Sequence, residues 1–399
     1  MKKVLSTALI AVALGLGAGG PLAAQQGVSD GEILIGSHSA LSGPLAPWGQ
    51  ASLGAAEAYF AGVNAAGGIH GRQITLIKED HAYEVSKATA AGEKLVIDDG
   101  VFAIFAALGT PQNNAVLPLQ EEFGVPNIFP LSAARSMEGE LSFQMMSSYY
   151  EQIQKGTQYF IDKRGITTPC LIYLETDFGR ESLDAMNDIA ARLGIGVAAT
   201  AAHQPRDTDY VGSLLRLQRQ GCDFIALGVN FPEAIAIKAT AVQLGYDVPM
   251  MGSTAIFEEA VIFIASRQGV LPALEGLYAA GAWIAITDAV RRSPAAAEFQ
   301  QQWTAATGAP VTGAAILGRV GAELLVTALA NAGPDLTADG FIAALERTEI
   351  ENIFTGTTLG FSEGVRKGSS DVFLSQVTAV PEGAAPFSHI WLLVEEEPI

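Results

Sequence analysis

The sequence has 399 residues, of which 49% are hydrophobic, and it carries a formal charge of −19 at pH 7. This length predicts two or three domains, and its 43 glycines favour compact α/β units with many tight turns. The negative charge repels phosphate backbones and anionic lipid headgroups, so nucleic acid is not expected as a partner.

The N-terminal residues predict the compartment. Lys2 and Lys3 give a basic start, an apolar run follows over residues 4–16, and small residues come next. This pattern is typical of a secretory signal peptide at residues 1–24. A transmembrane anchor is the weaker alternative, because the run is shorter than the roughly 20 residues that span a bilayer. We expect an exported chain starting at Gln25, without a lipid anchor or later membrane span.

Short apolar runs then alternate with longer Ala-rich stretches, which is typical of parallel sheets covered by helices. A first series predicts strands at 32–36, 74–77, 102–106 and 127–129 and helices at 49–65, 85–97 and 111–123. A second series predicts helices at 149–163, 179–193, 210–220 and 232–244 and strands at 171–174, 196–200, 224–227 and 249–251.

The two series share a pattern of letters as well as of elements. FAALGTPQNNAVLPLQEEFGVPNIF parallels FIALGVNFPEAIAIKATAVQLGYDVPMM, and this spacing indicates a duplicated α/β lobe with a cleft between the copies. The remaining chain predicts an extended run at 277–283, helices at 295–306, 314–331 and 338–347, and strands at 373–378 and 389–394. We therefore expect about three crossings between the lobes.

Ligands of open parallel sheets bind outside the carboxyl ends of the strands, so the turns after strands are the informative positions. In the turn at 108–111, Thr110 caps a helix, Pro111 takes its first position, and Gly109 permits close approach to the backbone. Such a helix start suits a carboxylate, and an ordinary capped helix is the alternative.

Four aromatic residues lie in or near these turns, where they can form cleft walls or packing lids: Trp48, Tyr83, Phe178 and Phe231. The sequence contains no G-x-S-x-G, H-E-x-x-H, Walker A or S-x-x-K signature, and its five histidines show no metal spacing. We expect neither an enzyme nor a cofactor or metal site.

The two cysteines, Cys170 and Cys222, each start a predicted strand of the second series, and these strands are expected to be neighbours. Export permits a disulfide between them, while two buried free thiols are equally compatible with the sequence.

The chain resembles the leucine/isoleucine/valine-binding branch of the periplasmic solute-binding proteins of ABC importers. The phrases that carry the resemblance are IGSHSALSGPLAPWG, GAAEAYFAGVNAAGGIHGRQITLIKEDHAY, LGTPQNN and PLSAARSM. It implies two Rossmann-like, doubly wound lobes joined by three hinge segments, with lobe one at 31–146 plus 281–358 and lobe two at 147–280 plus 359–399. Ligand binding closes such lobes.

The resemblance also implies site residues. Trp48 stands where the family has an aromatic residue over the ligand, Thr110 where a hydroxyl receives the carboxylate, and Ser132 and Ala133 where backbone groups complete that clasp. Phe178 and Asn230 stand where members often have Tyr. Leu131, in the same turn as Ser132, and the aromatic residues Tyr83 and Phe231 are further candidates from their positions in the turns. Thr254 replaces the acidic residue that meets an amino-acid ammonium.

This departure favours a carboxylic acid without an α-amino group, with aromatic acids first and branched-chain amino acids as the alternative. Glu258 or Asp80 is a substitute partner for an ammonium. The expected role is that of a monomer delivering its ligand to an ABC permease. A periplasmic sensor subunit is the second interpretation, and a secreted enzyme is a distant third.

Overall fold

The computed structural model describes residues 25–197, 199–383 and 387–399. The predicted signal peptide lies outside the described residues. The first part of the chain forms a five-stranded parallel sheet in the order β2-β1-β3-β4-β5. Its strands are β1 (Glu32–Ser39), β2 (Gln73–Asp80), β3 (Ala103–Phe105), β4 (Asn127–Ile128) and β5 (Ser142–Phe143).

A second sheet has seven strands in the order β14-β13-β10-β9-β8-β6-β7. They are β6 (Pro169–Leu174), β7 (Thr200–His203), β8 (Phe224–Gly228), β9 (Met250–Ser253), β10 (Leu277–Gly281), β13 (Phe373–Ala379) and β14 (His389–Leu393). The strands from β6 to β10 are parallel, whereas β13 and β14 add to the edge in antiparallel fashion. A separate hairpin joins β11 (Glu349–Glu351) to β12 (Thr358–Gly360).

Helices connect the strands in both units. Those before the second sheet are α1 (Ala46–Ala65), α2 (Val85–Glu93) and α3 (Thr110–Phe123). Those within it are α4 (Tyr149–Arg164), α5 (Asp177–Leu193), α6 (Val211–Arg219), α7 (Phe231–Gln243) and α8 (Glu259–Arg267). The last four are α9 (Ile286–Arg292), α10 (Pro294–Thr307), α11 (Gly313–Ala332) and α12 (Ala338–Leu345). The alternating pattern of the sequence thus produces the predicted two-lobed α/β architecture.

Helix α11 returns to the first unit and packs along α1. A Cβ at Gly318 would lie 1.9 Å from the carbonyl oxygen of Ser52, so only glycine permits this approach of the two backbones. Contrary to the expectation of no later span, α11 is long and apolar enough to cross a membrane by length and composition. It is instead a core helix, because 72% of its most apolar window is buried within the protein.

The chain passes between the two units three times, after β5, between β10 and α11, and before β13. The first and third passages run side by side, since Gln144 N donates to Arg366 O at 2.8 Å and Ser147 Oγ donates to Asp371 O at 2.7 Å. The lobe boundaries implied by the resemblance stay predictions. Those boundaries assign α9 to lobe one, but in the structure α9 packs against β14 of the second sheet.

A disulfide joins Cys170 in β6 to Cys222, two residues before β8, with their Cα atoms 5.9 Å apart. The strands β6 and β8 are hydrogen-bonded neighbours, as the sequence predicts. The pair therefore ties two adjacent strands at the end of the sheet opposite the loops that lead into α5 and α7.

The predicted strand at 196–200 is wrong in position, because β7 begins at Thr200 and pairs only with β6. Helix α5 ends at Leu193, with the left-handed Gly194 as its C-cap. Strand β7 is an edge strand with one partner, so its ends depend more on its pairing with β6, which places Leu171 opposite Thr200, than on its own residues.

Candidate ligand-binding site

A small cavity lies between the carboxyl ends of the two sheets, and we call it the inner cavity. Its volume is about 30 Å³. The lining residues come from both units: Leu45, Trp48, Tyr83, Leu108, Gly109, Leu131, Ser132, Met146, Tyr149, Asn230, Thr254, Ala255 and Leu317. Its position matches the general location of ligands in open α/β sheets.

The start of α3 forms one wall. Gly109 precedes the helix with φ of 100°, and a Cβ there would lie 2.1 Å from Gln112 Oε1 and 2.8 Å from Tyr83 Cε2. Thr110 and Gln112 stand in the first turn, where a helix leaves its N–H groups unpaired and positive. The Thr110 and Ser132 hydroxyls lie 2.8 Å apart, and both side chains are buried. Two hydroxyls and a helix start thus converge beside the inner cavity.

The loop after β2 carries Tyr83 onto the wall. Ala82 and Tyr83 both have left-handed backbones, with φ of 48° and 62°. The side chain of His81 accepts from Tyr83 N at 3.0 Å through Nδ1, and Gln112 Nε2 donates to Tyr83 O at 2.8 Å. These two bonds hold a conformation that non-glycine residues rarely adopt.

The wall from the second unit is neutral. Thr254 N donates to Gln152 Oε1 at 2.8 Å, and Thr254 Oγ1 accepts from Ala282 N at 3.3 Å. Asn230 stands at the start of α7 with its side chain toward the Tyr83 hydroxyl. Among the residues that the structure describes, no charged side chain lines the inner cavity.

The two acids proposed as substitute partners are engaged elsewhere. Burial opposes ionisation of Asp80, but hydrogen bonds from Ser42, Ala82 and Leu41 lower its pKa to about 2. Glu258 is fully buried and accepts the N–H of Ala314 at the start of α11. Burial, followed by repulsion from Glu259, raises the pKa of Glu258 well above its usual value. Neither carboxyl group lines the inner cavity.

Aromatic rings support the wall in two groups. Trp48 packs edge-on against Trp283 with ring centres 5.9 Å apart, and Trp283 stacks on Phe257 at 5.7 Å. Tyr149 lines the cavity and packs edge-on against Phe178 at 4.6 Å, and burial raises the pKa of Tyr149 to about 12. The cavity is therefore aromatic on two sides and polar at the start of α3.

The sequence profile of the family described as periplasmic binding protein matches residues 32–384, which is most of the chain. The chain belongs to the periplasmic binding protein family. The Leu/Ile/Val/Thr-binding protein of Salmonella typhimurium is 24% identical over 245 residues, covering 60% of this chain and 67% of that protein. The match thus spans about two thirds of the relative.

Two solved structures share the fold. A fatty acid ABC transporter substrate-binding protein from Thermomonospora curvata has a TM-score of 0.82 at 24% identity and covers 94% of each chain. An ABC transporter solute-binding protein from R. palustris in complex with benzoate has a TM-score of 0.75 at 17% identity. That match covers 92% of this chain and 97% of the other. At these identities the similarity shows the type I fold of periplasmic binding proteins.

Not every site residue predicted from the sequence reaches the inner cavity of this periplasmic binding protein. Seven of them line it: Trp48, Tyr83, Gly109, Leu131, Ser132, Asn230 and Thr254. Thr110 lies behind Ser132, and the carbonyl of Ala133 accepts from Tyr149 N at 2.7 Å. Phe178 lies behind Tyr149, and Phe231 is fully buried at the start of α7. These four support the wall without forming its surface.

Tyr149 is the main wall residue that sequence reasoning missed. It follows Ser148, which caps α4 in a reciprocal pair with Glu151. The capping pattern Ser-x-x-Glu marks the helix start in the sequence, directly after the first passage between the lobes. That signal identifies Tyr149 as the first helical residue facing the cleft.

Proposed function

We propose that this protein is an exported, non-enzymatic solute-binding protein. It captures a small carboxylic acid without an α-amino group, closes over it, and delivers it to an ABC permease in the inner membrane. Family membership supports the transport role, and the predicted signal peptide supports a periplasmic location.

The observation that carries the ligand class is the uncharged wall of the inner cavity. An α-ammonium group buried there would need a carboxylate partner, because an unpaired buried charge costs several kcal/mol. The position opposite the carboxylate clasp holds Thr254, whose hydroxyl and N–H already have partners within the protein. A ligand that is neutral apart from its carboxylate avoids this cost.

The carboxylate itself has a suitable place at the start of α3. The unpaired N–H groups of the first turn and the Ser132 hydroxyl, which the Thr110 hydroxyl supports from behind at 2.8 Å, are suited to donate to a negative oxygen. The positive end of a 14-residue helix adds to this attraction. The acid group is thus expected to lie between Gly109 and Ser132.

Aromatic acids are the preferred ligands, because Trp48, Tyr83 and Tyr149 offer flat faces. Branched-chain amino acids are the alternative, because the Salmonella relative is a Leu/Ile/Val/Thr-binding protein. The benzoate complex of the R. palustris protein favours the aromatic choice.

A thermal-shift panel tests the ligand class. We expect benzoate-like, phenylpropenoate-like or aliphatic acids to raise the melting temperature, and leucine, isoleucine and valine to have little effect. Thr110→Ala and Trp48→Ala should each abolish the shift, whereas Thr304→Ala, at an exposed position of α10, should retain it. Stabilisation by the amino acids alone would refute the proposed class.

A further inference from the structure

A second, larger cavity lies immediately outside the inner one, and we call it the outer cavity. It has a volume of about 770 Å³ and opens at the mouth of the cleft between the two units. Three residues line both cavities, namely Leu45, Tyr83 and Asn230. Tyr83 and Asn230 thus form the partition between them.

The inner cavity offers much less room than the outer one. On the same measure the inner cavity has about 30 Å³ and the outer cavity about 770 Å³, so a bulky group finds far more space in the outer cavity. A neighbouring void behind Met146 and Leu317 adds only about 20 Å³ and lies against the hinge residues Ala282 and Trp283. Of these three cavities, the outer one has by far the most room for the apolar part of a larger acid.

The walls of the outer cavity suit an apolar group. The first unit contributes Pro44, Leu45, Tyr83 and Val85, and the second contributes Pro205, Pro232 and Ala236. Its charged groups are at or near the rim, where an Arg206 guanidinium nitrogen lies 3.9 Å from Glu84 Oε1 across the mouth. The exception is Glu233, which is mostly buried, and burial raises its pKa.

The Tyr83 side chain closes the partition. Its backbone is held by the bonds to His81 and Gln112, and its half-buried side chain places the hydroxyl against the Asn230 side chain. A rotation about the side-chain bonds of Tyr83 would join the two cavities without moving the loop.

We infer that the ligand is a carboxylic acid with an apolar tail, and that the tail occupies the outer cavity past a displaced Tyr83. This inference rests on the proposed function, which supplies the carboxylate clasp at the start of α3. It narrows the ligand to acids whose bulky group stands away from the carboxylate by several methylene groups. An acid whose ring is attached directly to the carboxyl carbon places that ring against Tyr83 and fits less well.

The test uses sodium salts from benzoate through phenylacetate and 3-phenylpropanoate to 5-phenylpentanoate, titrated calorimetrically into ligand-free protein. We expect affinity to rise along the series, by up to about fourfold for each methylene that leaves water. A maximum at benzoate followed by a steady loss would overturn the inference while leaving the proposed function in place. Absence of binding by every acid would overturn both.

Two tryptophan substitutions on α7 locate the tail. Ala236→Trp fills the outer cavity and should weaken 5-phenylpentanoate at least about tenfold while changing benzoate less than about twofold. Val242→Trp, at an exposed position of the same helix, is the matched control and should leave both affinities unchanged. Equal losses for the short and the long acid in Ala236→Trp, with a melting temperature like that of the control, would overturn the inference. Ala236→Leu provides a milder filling if tryptophan prevents folding.

Discussion

Replacing Glu259 by glutamine is expected to change how the stability of the protein depends on pH. Glu259 and its neighbour Glu258 come from the second unit and reach the start of α11, where they accept the N–H groups of Gly313 and Ala314 at 2.8 and 3.0 Å. The other carboxyl oxygen of each residue has no hydrogen-bond partner within the described part of the chain. Two adjacent acids are thus held where water is scarce.

The magnitude follows from the pKa of Glu259, which burial raises from 4.5 to about 7. The folded protein therefore holds a proton that the unfolded chain releases between these two values. This contribution to stability is complete below pH 4.5, declines as the pH rises, and is lost above about pH 7. At about 1.4 kcal/mol per pKa unit, the total is on the order of 3 kcal/mol. Burial, followed by repulsion from Glu259, also raises the pKa of Glu258 above its usual value.

Urea unfolding followed by circular dichroism, between about pH 5 and pH 8, measures the difference between the wild type and Glu259→Gln. The stability of the wild type relative to the variant should fall by about 3 kcal/mol from acid to neutral pH. Glu122→Gln, at an exposed position of α3, is the control and should follow the wild type. A constant difference between wild type and Glu259→Gln at every pH would refute the reasoning.

Three further outcomes are expected. Alkylation of the unfolded, unreduced protein should add no label, because Cys170 and Cys222 are bonded to each other. Replacing both by alanine should lower the free energy of unfolding by up to about 4 kcal/mol, because the disulfide closes a 52-residue separation. Gly109→Ala should destabilise the protein by about 2–3 kcal/mol and abolish ligand binding, because alanine strains the backbone and clashes with Gln112. Gly62→Ala is the control at an unobstructed position of α1 and should be neutral or slightly stabilising. Saturation with a tight acid ligand should reduce the radius of gyration by X-ray scattering and raise the melting temperature, and unchanged dimensions would contradict closure.

Local chemistry explains which parts of the site were predictable. Gly109, Thr110 and Pro111 follow a buried strand, and their residue types predicted a helix start here. The predicted cap is wrong by one residue, because Gly109 with its positive φ is the N-cap, no side chain caps the helix, and Thr110 is already helical. Phe231 occupies the equivalent place after β8, but its side chain is fully buried in the second unit. The two turns look alike in sequence, and tertiary packing decides which side chain faces the cleft.

The fold was predictable where each element has its own periodicity. The strands and helices of the two series were located within a few residues, apart from β7, which depends on its register with β6. Strand β5, helices α8 and α9 and the β11–β12 hairpin were missed. They are short, and their stability comes from contacts with distant parts of the chain, as when Asp288 Oδ2 in α9 accepts from Leu393 N at 2.9 Å.

The antiparallel addition of β13 and β14 has a consequence for how the protein is made. The second sheet contains residues from 169 to 281, yet its edge is completed only by residues 373–393. Until residues 373–393 join the sheet, β10 presents an unpaired edge, and the second unit lacks the cover that Trp391 gives to Phe257. Completion of this unit therefore depends on the C-terminal strands, so it is expected to finish folding only after nearly the whole chain has been synthesised.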